Sequence, residues 1–425
     1  MKYVIIGNSV AAIGAVIGIR KVDTKGEITI ISRESYLAYS RPSISSLLAG
    51  KITMAKMPYR KEKFYKDNNV NVMLDSEVTS IDTKSSSVKI KGGKSRKYDK
   101  LLIATGGKPF VPPIKGLTKE DTLTFTTLDD SKRLKEVSKK IKKVVIIGGG
   151  LIGLKAAEGL IKTGIDVTVL ELAPRVLSTA FDSVTSKIIQ GALKNKGIKV
   201  ITSDTVDQVN KEGDKIVSVD LKSGKNLKCD AVVVAIGVVP NADLVQGTSI
   251  KKDRGIVVND NMMTNVKGVY AAGDVAEGYD MIIDAKRVLP IWTNAYVQGK
   301  VAGINMAGQK LDHKKLLPMN SITFCDVPII SMGLTEPLEG KSYKMLEKND
   351  LKNSVHKRLI LKNDKIVGGC FVTDIDRTGI FTGLIKEKID VGDYTKELLD
   401  DDFSFANLKK ALRSRLLRET NKSLI

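Results

Sequence analysis

The apolar positions of this chain fall into short runs that alternate with segments of helical spacing. Between Lys143 and Glu171, four apolar residues precede three glycines, and apolar residues then recur at helical intervals. A further strand-like segment at 166–170 ends on Glu171. The pattern predicts a strand, a helix at 151–162 and a second strand, which together form a βαβ unit.

The glycines of this unit, Gly148, Gly150 and Gly153, have the spacing of a dinucleotide-binding turn. They permit a tight turn, close approach of a pyrophosphate and close packing of helix on strand, so the helix N-terminus can hold the phosphates. Glu171 is placed to accept hydrogen bonds from a ribose diol. Its charge would repel the 2′-phosphate of NADPH by roughly 4 kcal/mol per unit charge, so we expect NADH to bind.

Residues 3–31 repeat this order of strand, turn, helix and strand. The glycine motif is relaxed here to Gly7, Ser9 and Ala12, which are all small enough for close approach of a phosphate. Glu34 lies just past the second strand and is preferred to a serine as the ribose acid, because only a carboxylate accepts from both hydroxyls of the diol. We therefore predict a second dinucleotide site.

The remaining pattern predicts one nucleotide domain inserted into another. Residues 70–103 alternate apolar and polar positions, which predicts small antiparallel strands, and residues 200–227 predict a meander. Apolar runs end on glycine at Gly106 and at Gly237, and a later strand ends on Asp274. The last 115 residues predict strands at 322–325, 327–332, 358–361 and 365–372, whereas the tail from Tyr394 shows no chemical motif.

Composition narrows the class of protein. A chain of 425 residues with 42% hydrophobic content predicts two or three domains. The best apolar run, 231–240, is about half of a membrane span, and the chain starts on a strand without a signal peptide, so we expect a cytoplasmic protein that does not enter the membrane. Three distant cysteines suggest neither a disulfide framework nor a metal site.

The formal net charge of +21 has three interpretations. Lysine-rich clusters such as 132–143 and 409–418 are most simply solvated helix faces. They are also compatible with a docking surface for an acidic protein, or with nucleic-acid binding. Aromatic residues are sparse and are not interleaved with the basic runs, which argues against a base-stacking groove.

Five motifs give the chain a resemblance to a known family. They are GNSVAA near the start, ATG at 104–106, GGGLIG at 148–153, AIGVVPN at 235–241 and YAAGDVAE at 270–277. Their order over residues 1–310 resembles the two-dinucleotide flavoproteins of the pyridine nucleotide-disulfide oxidoreductase family. In that family the first unit binds FAD and the inserted unit binds NAD(P)H.

The resemblance implies an α/β fold of the glutathione-reductase type, with two Rossmann-like domains and an α+β C-terminal domain. The FAD domain would comprise 1–111 and 241–310, the NAD domain 112–240, and the C-terminal domain 311–425. Such C-terminal domains commonly form a dimer interface, so the resemblance also implies a homodimer.

The implied cofactor-binding residues carry distinct roles. Glu34 would hold the adenosine ribose and Arg41 the phosphates, Asp274 would take a ribityl hydroxyl, and the backbone at 290–292 would face the pyrimidine edge of the flavin. The whole implied set is Gly7, Ser9, Val10, Ala11, Ala12, Arg33, Glu34, Arg41, Pro42, Val78, Ala104, Thr105, Gly106, Gly148, Gly150, Leu151, Ile152, Gly153, Glu171, Gly237, Gly273, Asp274, Pro290, Ile291 and Trp292.

Two departures from the family pattern carry information. Many members have a redox cysteine about ten residues after the first ribose acid, but 39–46 contains none, and serine cannot replace a thiolate. The segment YSRPSIS instead resembles the RPxLS motif of rubredoxin reductases, ferredoxin reductases and the NADH-oxidising module of nitrite reductases.

Many of those ferredoxin reductases have lysine at the position of Ser46 and glutamate at that of Lys155, so the two charges look exchanged. Lys155 is predicted as a catalytic residue that supports negative charge on the reduced flavin, the alternative being an exposed lysine.

The expected function is an FAD enzyme that accepts a hydride from NADH. Electrons would then pass to a small acidic carrier, rubredoxin or a ferredoxin, docked on the lysine surface. Two alternatives remain open: an NADH oxidase that reduces oxygen, and a flavin-bearing interaction protein that binds nucleic acid.

Overall fold

The computed structural model describes residues 1–313, 316–409 and 412–414. The chain forms two compact units. Unit 1 contains residues 1–110 and 126–132 and the described residues of 237–316. Unit 2 contains residues 111–125 and 133–236 and the described residues from 317 onward.

The secondary-structure elements are numbered along the chain. The helices are α1 (Val10–Val22), α2 (Ile44–Leu48), α3 (Glu62–Asp67), α4 (Leu128–Ser138), α5 (Leu151–Ile161), α6 (Ser183–Asn195), α7 (Trp292–Met306) and α8 (Thr378–Lys386). The first strands are β1 (Lys2–Ile6), β2 (Glu27–Ile31), β3 (Val70–Met73), β4 (Val78–Asp82), β5 (Ser87–Ile90), β6 (Ser95–Lys97), β7 (Lys100–Ile103) and β8 (Gly107–Pro109). The next are β9 (Lys143–Ile147), β10 (Asp166–Glu171), β11 (Lys199–Thr202), β12 (Val206–Glu212), β13 (Lys215–Leu221), β14 (Asn226–Lys228), β15 (Ala231–Val234) and β16 (Val238–Pro240). The last are β17 (Ile256–Val257), β18 (Val269–Ala271), β19 (Ala276–Asp280), β20 (Ala285–Val288), β21 (Met319–Phe324), β22 (Val327–Gly333), β23 (Lys344–Asp350), β24 (Val355–Lys362) and β25 (Lys365–Val372).

Unit 1 is built on a five-stranded parallel sheet with the order β18-β7-β1-β2-β3. Its central strands are continuous buried apolar runs, as parallel strands covered on both faces require. The prediction that the 70–103 segment forms only antiparallel strands was wrong for β3, which pairs in parallel with β2, and for β7, which pairs in parallel with β1 and β18. As the partly exposed edge strand of this sheet, β3 shows the same alternation as an antiparallel strand. The predicted antiparallel pairing is confirmed for β4, β5 and β6.

Helices α1 and α7 of unit 1 pack backbone against backbone. A Cβ atom added to Gly303 would lie 2.2 Å from the carbonyl oxygen of Ala15, and one added to Gly299 would lie 1.9 Å from that of Ala11. Only glycine fits at such distances. The contact holds the start of α1, and hence the turn that follows β1, against α7.

The nucleotide part of unit 2 is a four-stranded parallel sheet with the order β11-β10-β9-β15. The predicted meander at 200–227 was wrong for its first strand, because β11 extends the parallel sheet beside β10. Strands β12, β13 and β14 form the predicted antiparallel meander.

The C-terminal part of unit 2 is an antiparallel sheet with the order β21-β22-β25-β24-β23. Its four predicted strands are present, but the sequence did not predict the edge strand β23. Nearly all of β23 is exposed, so it has no buried face. Its sequence therefore lacks the apolar alternation from which a strand is predicted. The predicted basic cluster 409–418 lies outside the described residues except for 409 and 412–414.

A buried charge network joins α6 to this sheet within unit 2. Asp182 caps α6 by accepting from the Thr185 N–H at 2.8 Å, and its carboxylate contacts Nε2 of the fully buried His356 at 2.6 Å. Arg358 lies 3.3 Å from the same carboxylate. Burial opposes ionisation of Asp182, but the hydrogen bond and charge of His356 outweigh it, so the pKa of Asp182 is lowered.

None of the helices in the described ranges combines the length and the apolar character needed to cross a bilayer.

Candidate dinucleotide sites

The first predicted phosphate turn lies between β1 and α1 in unit 1. Gly7 has φ +105°, and a Cβ atom there would lie 2.2 Å from the carbonyl oxygen of Ala104, so the turn requires glycine. Ser9 caps α1 without a side-chain hydrogen bond to the helix, and the first turn contains no acid. The N-terminal N–H groups of α1 are therefore available to a pyrophosphate. This cradle fits the predicted FAD.

The structure brings several predicted residues to this turn. Gly273 packs beside it, since an added Cβ atom would lie 3.3 Å from the Cβ of Ala11. Its N–H donates to Gln298 of α7 at 2.7 Å. Val10, Ala12 and Ala104 are buried in the surrounding core.

Glu34, predicted to hold the adenosine ribose, and Arg41, predicted to hold the phosphates, form an ion pair with each other. The Tyr39 hydroxyl donates to the other carboxylate oxygen of Glu34 at 2.7 Å and accepts from the Leu128 N–H at 3.1 Å. Arg41 also donates to the Thr126 carbonyl at 2.9 Å. The sequence did not predict Tyr39 or residues 126–128 as parts of this site, because nothing local links segments nearly 90 residues apart.

Asp274 follows β18 and is half-buried. Burial raises the pKa of its carboxyl to about 6, against the opposing charge of Arg41. The described residues donate no hydrogen bond to this carboxyl, so a polyol hydroxyl could donate one to it.

The predicted flavin-facing helix is α7. Its first helical residue is Trp292 and its N-cap is Ile291, so Pro290 lies one residue before the cap. The first turn contains no acid and no side-chain cap. Trp292 is half-buried and meets Tyr59 edge-on, with ring centroids 5.5 Å apart.

The other predicted residues of unit 1 are more dispersed. Thr105 donates to the Asn241 carbonyl at 2.7 Å, and the Asn241 N–H donates to Gly106 at 2.8 Å, so the ends of two chain segments meet there. Val78 is buried at the start of β4. Arg33, Pro42 and Gly237 are exposed.

The second predicted turn lies between β9 and α5 in unit 2. Gly148 has φ +110°, and a Cβ atom on Gly153 would lie 1.9 Å from the Gly148 carbonyl oxygen. Gly150 is the N-cap of α5 and faces open space, and Leu151 and Ile152 form the first turn after it. The turn therefore presents uncapped N–H groups to a phosphate.

Glu171 lies at the end of β10 beside this turn. Its two carboxylate oxygens accept from the Gly149 N–H at 2.7 Å and from the Ala173 N–H at 2.8 Å. Each oxygen keeps a second lone pair. The carboxylate is therefore fixed in place and can still accept from a ribose diol.

Arg175, four residues later, is the nearest cation along the chain that could attract a 2′-phosphate. Its guanidinium instead donates to the Phe181 carbonyl at 2.6 Å and to the Ser186 hydroxyl at 2.9 Å. It also lies 3.5 Å from Glu336. The sequence did not reveal this use of Arg175, which depends on folding of the loop before α6.

Lys155 is held by its own unit. Its ammonium donates to Glu158 at 2.5 Å and to the Thr323 carbonyl at 3.1 Å, and it lies 5.5 Å from the centre of the Phe324 ring. Glu158 also accepts from the Cys325 N–H at 3.3 Å. These contacts fasten the turn between β21 and β22 to α5, and the catalytic role of Lys155 stays a prediction.

All three cysteines are buried and free. Burial raises the pKa of Cys229 to about 12, and it also raises the pKa values of Cys325 and Cys370. Each thiol is therefore protonated and weakly nucleophilic at neutral pH. In the ranges that the structure describes, no cluster of three or more His, Cys, Asp and Glu residues could hold a metal ion.

Two family models match the chain. The model described as pyridine nucleotide-disulphide oxidoreductase covers residues 1–299. The model described as rubredoxin NAD+ reductase C-terminal domain covers residues 318–389.

Individual relatives match over most of their length. The NADH-dependent phenylglyoxylate dehydrogenase subunit epsilon of Aromatoleum evansii is 31% identical over 395 residues, which are 92% of each chain. The NADH oxidase of Methanocaldococcus jannaschii is 34% identical over 345 residues, which are 79% of this chain and 76% of the oxidase. The crystal structure of NADH:rubredoxin oxidoreductase from Clostridium acetobutylicum superposes with a TM-score of 0.75 at 27% identity, covering 94% of this chain and 98% of that one.

These matches confirm the predicted fold class of two dinucleotide-binding domains and a C-terminal sheet domain. They also confirm the predicted cofactor pair, FAD and NADH. The chain belongs to the pyridine nucleotide-disulphide oxidoreductase family.

Proposed function

We propose that this chain passes electrons from NADH through FAD to a small acidic electron-carrier protein of the rubredoxin or ferredoxin type. The observation that carries the proposal is that its cysteines are unsuited to redox chemistry. The segment 39–46 has no cysteine, and the three cysteines are buried with raised pKa values. Thiol–disulfide exchange needs a thiolate, so electrons must leave by another route.

The relatives support the same conclusion. The first family match spans residues 1–299, which include both glycine turns, and the second match is to a C-terminal domain of rubredoxin reductases. One similar structure is an NADH:rubredoxin oxidoreductase. Rubredoxin is the acceptor named both by the second family match and by this structure.

The chemistry that FAD supplies when bound is the conversion of a two-electron donor into two one-electron transfers. For each turnover, one NADH and two oxidised carriers give one NAD⁺, two reduced carriers and one proton. The protein's part is to bind both dinucleotides, to orient them and to recognise the carrier.

The residues described above would divide this work. Glu171 would orient the adenosine ribose of NADH and reject the 2′-phosphate of NADPH, and Arg175 is not free to offset that rejection. The N-terminus of α1 and Arg41 would hold the FAD pyrophosphate. Asp274 would accept from the ribityl chain, and the N-terminus of α7 would favour negative charge at the pyrimidine edge.

The proposed function is tested by anaerobic stopped-flow spectroscopy of the purified, FAD-containing protein. NADH should bleach the flavin absorbance, and oxidised rubredoxin added next should restore it while rubredoxin is itself reduced. Reduction by NADPH but not NADH would refute the role of Glu171. Bleaching by NADH with no transfer to rubredoxin or ferredoxin would refute the carrier.

A second candidate acceptor is oxygen, favoured by the match to an NADH oxidase. Oxygen would take both electrons and yield peroxide. Turnover with air-saturated buffer that exceeds turnover with saturating rubredoxin would establish this alternative.

We also propose a cytoplasmic homodimer with domains at 1–111 with 241–310, 112–240 and 311–425. Sedimentation measures the oligomeric state.

A catalytic contribution of Lys155 would appear as slower flavin reduction in Lys155→Met with unchanged NADH affinity.

A further inference from the structure

A basic stretch of unit 1, residues 51–66, lies beside the predicted FAD site and is called the basic segment below. It contains six cations, Lys51, Lys56, Arg60, Lys61, Lys63 and Lys66, and a single acid, Glu62. Its two helical lysines are partly neutralised, since Lys63 lies 2.9 Å from Asp67 and Lys66 lies 3.6 Å from Glu62.

The other four cations form no ion pair with any carboxylate in the part of the chain that the structure describes. Lys51, Lys56 and Lys61 are exposed, and Arg60 is half-buried. The basic segment therefore presents positive charge that the protein's own acids leave uncompensated.

Aromatic rings order the centre of the basic segment. The Arg60 guanidinium lies 4.3 Å from the centre of the Tyr59 ring and 5.6 Å from that of Phe64. Tyr59 in turn meets Trp292 edge-on at 5.5 Å. These contacts connect Arg60 through Tyr59 to Trp292, the first residue of α7. The backbone of Trp292 is predicted to face the flavin.

The basic segment is fastened to the FAD-binding elements by hydrogen bonds. The Tyr59 and Arg60 N–H groups donate to the Ala38 carbonyl at 2.8 and 3.1 Å, and the Lys51 N–H donates to the Ser46 carbonyl at 2.9 Å. Tyr65 of α3 donates to Asn8 of the phosphate turn at 2.9 Å. The charges are thus held at a fixed place relative to the predicted FAD site.

An exposed apolar side chain completes the surface. Met54 is 42% exposed and lies between Lys51 and Lys56 in the chain. Apolar and aromatic groups surrounded by unpaired cations are the complement of an acidic protein with a partly apolar docking face. Nucleic acid would be read by aromatic side chains free to stack on bases, whereas the Tyr59 face is already covered by Arg60.

We infer that the basic segment is the surface on which the acidic one-electron carrier docks, with Lys51, Lys56, Arg60 and Lys61 as its charged contacts. The inference rests on the proposed function. Each docked carrier takes one electron, so two successive carriers take the pair supplied by one NADH, and one proton is released.

The test compares two charge-reversed variants of the FAD-containing protein. The first is Lys51→Glu/Lys56→Glu/Lys61→Glu. The matched control, Lys89→Glu/Lys94→Glu/Lys97→Glu, makes the same charge change at exposed positions around β5 and β6 of the same unit. Three quantities are measured: the Kd of each protein for purified oxidised rubredoxin without NADH, the KM for rubredoxin with NADH, and NADH-driven reduction of a neutral quinone.

Reversal of the basic segment should raise the Kd and the KM for rubredoxin by about tenfold or more at low ionic strength, because attraction is replaced by repulsion. The increase should shrink at about 200 mM salt, where exposed charges are screened. The control should stay within about twofold of the wild type, since its charges lie outside the proposed contact. Quinone reduction should be unchanged in both variants.

Equal effects of the two variants on rubredoxin binding would overturn the docking assignment. The assignment would also be overturned if the first variant lost retention of duplex DNA at about 200 mM salt while its rubredoxin binding stayed unchanged. That result would identify a nucleic-acid surface. If the wild type reduces the quinone but never rubredoxin or ferredoxin, the proposed function itself fails, and this result is distinguishable from the other two.

Discussion

The carboxylate of Glu171 shows how one side chain can select a cofactor. Backbone N–H groups of Gly149 and Ala173 hold both of its oxygens, so it cannot swing away from an approaching phosphate. The nearest cation along the chain, Arg175, is engaged by the Phe181 carbonyl. Arg175 is therefore not free to form an ion pair with a 2′-phosphate at this position.

Replacing Glu171 by Ala should lower the preference for NADH over NADPH by at least about tenfold, because both the diol acceptor and the repelling charge are lost. The ratio of kcat/KM for the two nucleotides measures this change. Glu136→Ala, on the exposed face of α4, is the control and should leave the ratio unchanged. An unaltered ratio in the Glu171 variant would contradict the assignment.

Asp274 should make the FAD-free protein sensitive to pH. Because its pKa is raised to about 6, the folded state holds a proton that the unfolded state releases at lower pH. The wild type should therefore lose stability as pH rises from about 4 to about 6, by at most about 3 kcal/mol. Asp274→Asn removes the buried charge and should be spared this loss.

Thermal unfolding of the FAD-free proteins at about pH 4.5 and at about pH 7.5 tests whether stability falls as pH rises. The two pH values lie about one to two units on either side of that pKa. The midpoint of Asp274→Asn should exceed that of the wild type at the higher pH only, whereas FAD affinity should fall. Exposed Asp67→Asn serves as the control. A lower midpoint for the Asp274 variant at the higher pH would show that the carboxylate stabilises the fold.

The sequence predicted some residues of the candidate sites and not others, for a physical reason. The turn glycines and Glu171 belong to a motif whose spacing is local, so they could be read from one stretch of chain. Tyr39 became visible only when the structure joined it to Leu128, and Tyr65 only when it was joined to Asn8. Such partners depend on contacts between distant segments.

At the scale of elements, the close crossing of α1 and α7 underlies the FAD half of the chain. Gly303→Ala should destabilise unit 1 by about 1–3 kcal/mol or more, because the new methyl group would overlap the Ala15 carbonyl. Gly383→Ala, on α8 where nothing lies within 4 Å, should stabilise its helix by about 0.5–1 kcal/mol. Thermal unfolding monitors both variants, and a neutral Gly303→Ala would contradict the described packing.

Elements with a buried apolar face were predictable, and elements without one were not. Helix α5 (Leu151–Ile161) ends within one residue of the predicted 151–162, and strand β25 matches its predicted bounds, 365–372. Strand β23 was missed because it is exposed along nearly its whole length. Strands β3 and β11 were predicted to be strands, but their parallel partners are set by sheet topology, which the alternation of side chains does not encode.

At the scale of the whole molecule, the grouping of segments could not be foreseen. The described C-terminal residues belong with the nucleotide residues 133–236 in one compact unit, where His356 and Arg358 meet Asp182 of the α6 cap. No local pattern predicts that a histidine in a buried strand pairs with an aspartate 174 residues earlier. The family resemblance, by contrast, was carried by motifs distributed over both units.

The central claim is that this flavoprotein accepts reducing equivalents from NADH and hands them on without sulfur chemistry. Its most direct test is anaerobic rapid mixing of NADH with the Cys229→Ala/Cys325→Ala/Cys370→Ala variant, followed by oxidised rubredoxin. Provided that the variant retains FAD and its folded circular dichroism spectrum, the flavin should be bleached and then reoxidised at rates within about twofold of the wild type, because protonated buried thiols take no part. Loss of either phase in the folded, FAD-containing variant would contradict the account.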